Sequence, residues 1–221
     1  KGVIVIEDFG DLSFYNVLLK SKSKFLIYKK LVDLLLRIQK ITIPKKINNI
    51  YNKPYKINKY SSRYLNEESN LFFDWYLPLI LDKKKALKIK TKSNKVLLKL
   101  YKKLYFSDSY FVHRYYHSQN LMKVGKTIGI IDSQDALIGN PAYDLVSLID
   151  DVRIKTSKKL KEQIYNYYAK KNPKIFINNS KNFLEDFNIL SVQRSLKIIG
   201  IFSRLFKRDK KKQYLKLIPY T

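Results

Sequence analysis

Residues 111 to 144 read FVHRYYHSQNLMKVGKTIGIIDSQDALIGNPAYD, and this stretch decides how the rest of the chain is read. An H-R-x-x-x-x-x-N loop (His113, Arg114, Asn120) runs directly into a short apolar strand, Thr127 to Ile131. The strand ends on Asp132, and a Gly-Asn-Pro turn then opens a helix carrying Asp144. The run Ile128-Gly-Ile-Ile131 predicts a buried strand that fixes Asp132 at its end. Mg²⁺ takes hard oxygen ligands in near-octahedral geometry and keeps some of its waters. An amide oxygen at 120 and a carboxylate at 132 could supply two such ligands from adjoining segments. Either half alone is better explained as an ordinary polar loop, with Asp132 capping a turn. Both halves together, in order and correctly spaced, point to a grip on metal-bound phosphates.

The order is that of the catalytic loop and metal-binding Asp of kinase-type phosphotransferases, in which the catalytic base stands five residues before the Asn. Here that position is Tyr115. The segment resembles the aminoglycoside phosphotransferase-like (phosphotransferase enzyme) family, whose loop reads H-G-D-x-H-x-x-N. It is most like the branch of bacterial N-acetylmuramate/N-acetylglucosamine anomeric kinases, with HRDxHxxNLM followed by LLDFQDAxxGxxAYDLVSLxxD. This chain keeps His113, Arg114, His117, Asn120, Leu121 and Met122. It also keeps Asp132, Gln134, Asp135, Ala136, Gly139, the run Ala142 to Leu148, and Asp150. Three further blocks fit the branch: VIVIEDFGD at 3–11, LFFDWYLP at 71–78 and SLKIIGIFSRLFKRD to YLKLIP across 195–219. The departures are Tyr115 for Asp and Ser133 for Phe.

The resemblance implies a mainly α fold with a small β component, the C-terminal lobe of a protein-kinase-like α+β architecture. Residues 1–10 would be the last strand of the N-terminal lobe and the hinge, and 11–221 the helical lobe. ATP and Mg²⁺ are the implied cofactors. Backbone near Glu7, Asp8 and Phe9 would meet the adenine, Asn120 and Asp132 the metal. Tyr115 occupies the place of the base, with His113 and Arg114 beside it. His113 would be a hydrogen-bonded scaffold paired with Asp144, and His117 a satisfied structural histidine rather than a base. Asp135 would support Asp132 or cap a turn. The implied acceptor is an amino sugar phosphorylated at its anomeric hydroxyl during cell-wall recycling. Trp75 is a core residue or a platform for such a sugar, and Glu68 and Asp74 near it are candidates for its hydroxyls.

Tyr115 changes the chemistry. A phenol titrates near 10, so about one in a thousand is ionised at neutral pH. It cannot take the acceptor's proton as a carboxylate would, and loss of general base catalysis costs on the order of 10²–10⁴ in rate. A catalytically dead nucleotide- or sugar-binding relative is therefore a second reading.

With 221 residues and 45% hydrophobic content, the chain can bury one sizeable core. It has no Cys, hence no disulfide or thiolate metal site, and two His make a transition-metal centre a poor reading. No apolar run approaches the length of a membrane span, and the expected location is cytoplasmic. The net charge of +27 invites a nucleic-acid or anionic-membrane reading. Yet Lys, Ile, Asn and Tyr, all with A/T-rich codons, dominate together, and Arg, the preferred base reader, is scarce. Nucleic acid is thus the weaker partner, and neutral or anionic sugars suit a positive protein better than polycationic aminoglycosides do.

Along the chain, Gly2 to Glu7 predicts a buried strand, and Asp11 a cap for a helix over 12–20. KFLIYKKLVDLLLRIQ over 24–39 is amphipathic at helical spacing. Residues 41–63 predict an exposed loop. Helices are expected over 64–81, 83–105, 142–153, 157–171, 180–208 and 211–218, with Pro173 separating the fourth from the fifth.

Overall fold

A computed structural model describes residues 5–44, 47–49, 51–106 and 110–221. Helix α1 (Phe14–Lys20) leads into α2 (Lys24–Gln39), whose bounds are those the hydrophobic spacing predicts. Leu31, Val32, Leu35, Leu36 and Ile38 of α2 are buried at three- and four-residue intervals, so one face packs and the lysines stay in water. A two-residue ladder, β1 (Ile47–Asn48) with β2 (Pro54–Tyr55), lies within the predicted loop.

Helix α3 (Ser62–Leu71) starts where the Ser61 hydroxyl accepts the Tyr64 amide. The single helix predicted over 64–81 is interrupted. A π-helical turn, Phe72–Tyr76, follows α3 and is succeeded by the short α4 (Leu77–Ile80). The reason stands opposite, in the last long helix. A Cβ built on Gly200 would lie 2.3 Å from the Leu71 carbonyl carbon and 2.5 Å from the Phe72 nitrogen. Only a residue without a side chain lets the two backbones approach so closely, and the widened turn accommodates the crossing.

Asp82 caps α5 (Lys83–Lys102) by accepting the Lys85 amide at 2.9 Å. Four short strands follow. β3 (Tyr110–Val112) pairs antiparallel with β6 (Leu137–Gly139), and β4 (Leu121–Val124) with β5 (Thr127–Ile130). The β4–β5 hairpin closes over Gly125-Lys126, with Gly125 at φ +55°, a conformation glycine adopts without steric cost. β5 is the strand predicted before Asp132, but it ends at Ile130 and is not buried as expected: only Gly129 is buried, Ile128 and Ile130 are half-buried, and Ile131 is exposed.

Helix α6 (Ala142–Ile149) is buried at all eight positions and forms the centre of the core. α7 (Lys158–Lys171) packs on α2, and α8 (Pro173–Asp209) on α3, the π turn and α6. Pro173 opens α8 rather than merely ending what precedes it, since a proline in the first turn forfeits no helical bond. The helix kinks at Asn179 (φ −135°, ψ 21°), so the predicted start at 180 corresponds to the kink. A 3₁₀ segment, Lys212–Tyr220, ends the chain.

The expected Asp11 cap is absent, since α1 begins at Phe14 behind Ser13 with no side-chain cap, and the expected strand over Gly2 to Glu7 fails in its described part. Residues 5–10 form no strand, and Val5 and Ile6 are 92% and 81% exposed. A strand persists only by pairing, and among the described residues nothing pairs with this one. Residues 1–4 of the predicted strand lie outside the described residues.

Candidate active site

The loop between β3 and β4 is held from beneath by one carboxylate. Asp144, in the first turn of α6, accepts the backbone N–H of His113 at 2.7 Å and of Arg114 at 3.0 Å. Burial raises its pKa to about 7 even though the two amides favour the charged form. A second tether is Asp151, just past α6, which accepts the Ser118 amide at 3.1 Å and its hydroxyl at 2.5 Å. The loop is strained where it turns, with Arg114 at φ +71°.

Asn120 closes the loop on itself. Its Nδ2 donates to the Tyr115 carbonyl at 3.1 Å, and its backbone carbonyl accepts the Ile131 amide at 3.1 Å. That donation fixes which way the carboxamide faces and leaves Oδ1 for another partner. Asp132 sits at φ +62° and makes no side-chain cap to the 3₁₀ turn that follows, so it is not capping that turn. Asn120 and Asp132 line one cavity of about 410 Å³, together with Tyr115, His117, Asp135 and the cations Arg114, Arg153, Arg194 and Lys197. Among the described residues no group of three or more His, Asp or Glu could form a metal cage. An amide oxygen and one carboxylate suit a Mg²⁺ that draws its remaining ligands from water and phosphates.

The floor of the cavity is a buried ion cluster centred on Glu68. Its carboxylate takes Arg114 Nη2 at 2.5 Å, Lys197 Nζ at 2.7 Å, Gln193 Nε2 at 3.2 Å and the Tyr60 hydroxyl. Burial pushes the Glu68 carboxyl up, but Lys197 and Arg114 outweigh it and hold it below the usual range. Glu68 thus meets protein groups, and its link to the site runs through Arg114, which also donates to the Asp135 carbonyl at 3.1 Å. Tyr115 lies between the two cations, with Arg114 at 5.6 Å and Lys197 at 5.3 Å from its ring centroid. Burial raises the phenol's pKa despite Lys197 and Arg114, so Tyr115 is neutral at pH 7.

Both histidines are neutral there as well. Burial lowers His113 against the pull of Ile131 and Asp132, and burial followed by Arg153 brings His117 to about 3. His113 Nδ1 accepts the Tyr115 amide at 3.3 Å, a structural contact, whereas His117 Nδ1 is buried without a hydrogen-bond partner among the described residues, so His117 is not the satisfied histidine expected. Glu7 and Asp8 are exposed and are not among the residues lining the Asn120–Asp132 cavity; Asp8 accepts the Gly10 amide at 2.8 Å. Phe9 rests its ring on Gly129 of β5, on the strand that delivers Asp132. Asp74 pairs with Lys90 at 2.6 Å, and neither it nor Trp75 lines the cavity.

Sequence reasoning missed Lys197, Arg194 and Arg153. A signal existed for two of them. Arg194 and Lys197 fall four and seven residues after the buried Leu190, on the stripe that should be apolar, and both are buried. Cations on a core face require partners. Arg194 finds them in Ser147 Oγ at 2.9 Å and the Asp150 carbonyl at 3.0 Å.

Compared with known proteins, the chain matches the Phosphotransferase enzyme family over residues 17–174. It belongs to that family. It is 28% identical over 221 residues to an N-acetylmuramate/N-acetylglucosamine kinase of Pseudomonas aeruginosa, covering 99% of this chain and 62% of the relative. A protein of the same name from Neisseria meningitidis serogroup B is 29% identical over 229 residues, covering 99% and 64%. The chain therefore spans somewhat under two thirds of the length of these relatives. The crystal structure of the ADP-bound aminoglycoside phosphotransferase APH(2'')-Ib superposes with a TM-score of 0.56 at 13% identity, covering 97% of this chain and 68% of that one. The likeness gives the fold: mainly α, with a small β component, of the kinase-like kind.

Proposed function

We propose that this chain is the helical lobe of an ATP- and Mg²⁺-dependent amino-sugar kinase, acting on N-acetylmuramate or N-acetylglucosamine in cell-wall recycling in the cytoplasm, with residues 5–10 as the hinge. The observation that carries this reading is the shared cavity. Asn120 and Asp132 face it from the same open end of one β-hairpin, Asn120 just before β4 and Asp132 just after β5, and the loop bearing Asn120 is pinned by Asp144. The named relatives favour the amino sugar.

In this scheme Asn120 Oδ1 and the Asp132 carboxylate would hold a magnesium ion, which would supply charge neutralisation to the nucleotide phosphates. Asp144 and Asp151 fix the loop, so those two ligands keep their separation without reorganisation. Glu68 keeps Arg114 and Lys197 in place along the wall beside Tyr115. The neutral phenol cannot accept the acceptor's proton, and its ring fills the place where a carboxylate would stand. Binding is retained while turnover falls by a factor of about 10²–10⁴.

That same phenol favours a second reading, a nucleotide- or sugar-binding relative without catalysis. Single-turnover measurement with ATP and N-acetylmuramate separates the two from an ordinary kinase. Magnesium-dependent nucleotide binding with negligible phosphate transfer is the expected result. Absence of any magnesium-dependent binding would sink both readings, and transfer at the rate of an aspartate-bearing relative would contradict the role given to Tyr115.

A further inference from the structure

The lysines of α5 are not scattered. The helix carries nine in 20 residues and no acidic residue. Six of them, Lys84, Lys88, Lys92, Lys95, Lys99 and Lys102, recur every three or four residues on the face opposite the buried Ala86, Leu97 and Tyr101. All six are exposed, and none makes an ion pair among the described residues. Codon bias explains lysine in place of arginine, but it does not explain this stripe, because the glutamate codon GAA is nearly as A/T-rich as the lysine codon AAA. Like charges at helical i,i+3 and i,i+4 spacing repel one another, so the stripe weakens the helix that bears it. An apposed anionic surface removes that repulsion.

We propose that the exposed face of α5 docks on an anionic phospholipid bilayer. Two features favour lipid over nucleic acid. Exposed apolar side chains flank the stripe on both sides, Leu87 on one and Ile89 and Val96 on the other. Such residues enter the boundary between headgroups and acyl chains while the lysines meet the phosphates. In addition, the stripe carries no exposed aromatic ring on which a base could stack, since Tyr101 is buried. The face contains none of the residues that line the catalytic cavity, so docking is independent of phosphotransfer.

Co-sedimentation of the full 221-residue chain with vesicles tests it, using phosphatidylcholine alone against phosphatidylcholine with 30% phosphatidylglycerol at about 0.1 M salt. Binding is expected only to the anionic vesicles. Replacing Lys88, Lys92, Lys95 and Lys99 with Gln should weaken it by about 600-fold, at roughly fivefold per lysine. Replacing Lys207, Lys210, Lys211 and Lys212 with Gln removes the same charge elsewhere and should change it little. Leu87→Ser with Val96→Ser, which alters no charge, should weaken binding several-fold. Circular dichroism matching the parent confirms that each variant is folded. Equal losses in the two lysine sets, no loss on removing the two apolar side chains, or tighter binding to single-stranded RNA than to vesicles at the same salt would each overturn the proposal.

Discussion

Replacing Glu68 with Gln tests the ion cluster beneath the cavity. The substitution keeps the side chain's size and removes its charge, leaving Arg114 and Lys197, each 7% exposed at the side chain, facing one another without an anion. Breaking a buried ion network by removing one partner costs about 3–5 kcal/mol, because uncompensated charge remains behind. For a domain of this size that corresponds to a fall in Tm of about 6–20 °C. The pH dependence gives a second check. Glu68 has a depressed folded pKa, so its contribution is present above the unfolded value, about 4.3, and disappears as pH falls through the lower folded value. Thermal unfolding of parent and Glu68→Gln from pH 2.5 to 8 should show a gap that is full at neutral pH and closes below about pH 4. Adding Lys197→Met to Glu68→Gln should recover part of the loss, since one stranded cation is gone. A penalty under about 1 kcal/mol at pH 7, or one that persists unchanged at pH 2.5, would refute the reasoning.

Gly200→Ala should destabilise by about 1–3 kcal/mol, because the added Cβ meets the backbone of Leu71 and Phe72 rather than a movable side chain; denaturant unfolding with an unchanged midpoint would contradict this. Asp144 has the opposite sign to Glu68: its folded pKa, about 7, exceeds the unfolded value, about 3.9. Its favourable contribution is therefore present below pH 4 and is lost as pH rises towards 7. The stability of the parent relative to Asp144→Asn should decline across that window, whereas a flat or rising difference in urea titrations would disprove the assignment. Tyr115→Asp should raise single-turnover phosphate transfer by about 10²–10⁴ if a base is the missing element, and an unchanged rate would place the defect elsewhere.

How much of this was legible before the structure depends on the range of the interactions. The bounds of α2 and the order loop, strand, Asp132, Asp144 came directly from local pattern, since α2 buries one face and β5 is a continuous apolar run. The strands β3 and β6 were not readable, being three residues each and joined across more than twenty positions. The π turn at Phe72–Tyr76 follows from Gly200, more than a hundred residues later, and no local spacing could reveal it. The same holds for Glu68, which was matched to sugar hydroxyls by proximity to Trp75, whereas its partners Arg114 and Lys197 lie on distant segments. What the pattern did offer, and what was overlooked, was the pair of cations Arg194 and Lys197 on a helix face that is otherwise core.

Calorimetric titration of ATP into the chain, with and without Mg²⁺, addresses the pairing of Asn120 with Asp132 most directly. Binding should require magnesium in the parent, and should be lost in both Asn120→Ala and Asp132→Asn while circular dichroism stays unchanged. Binding that is indifferent to magnesium, or that survives both substitutions, would show that these two side chains do not share a metal.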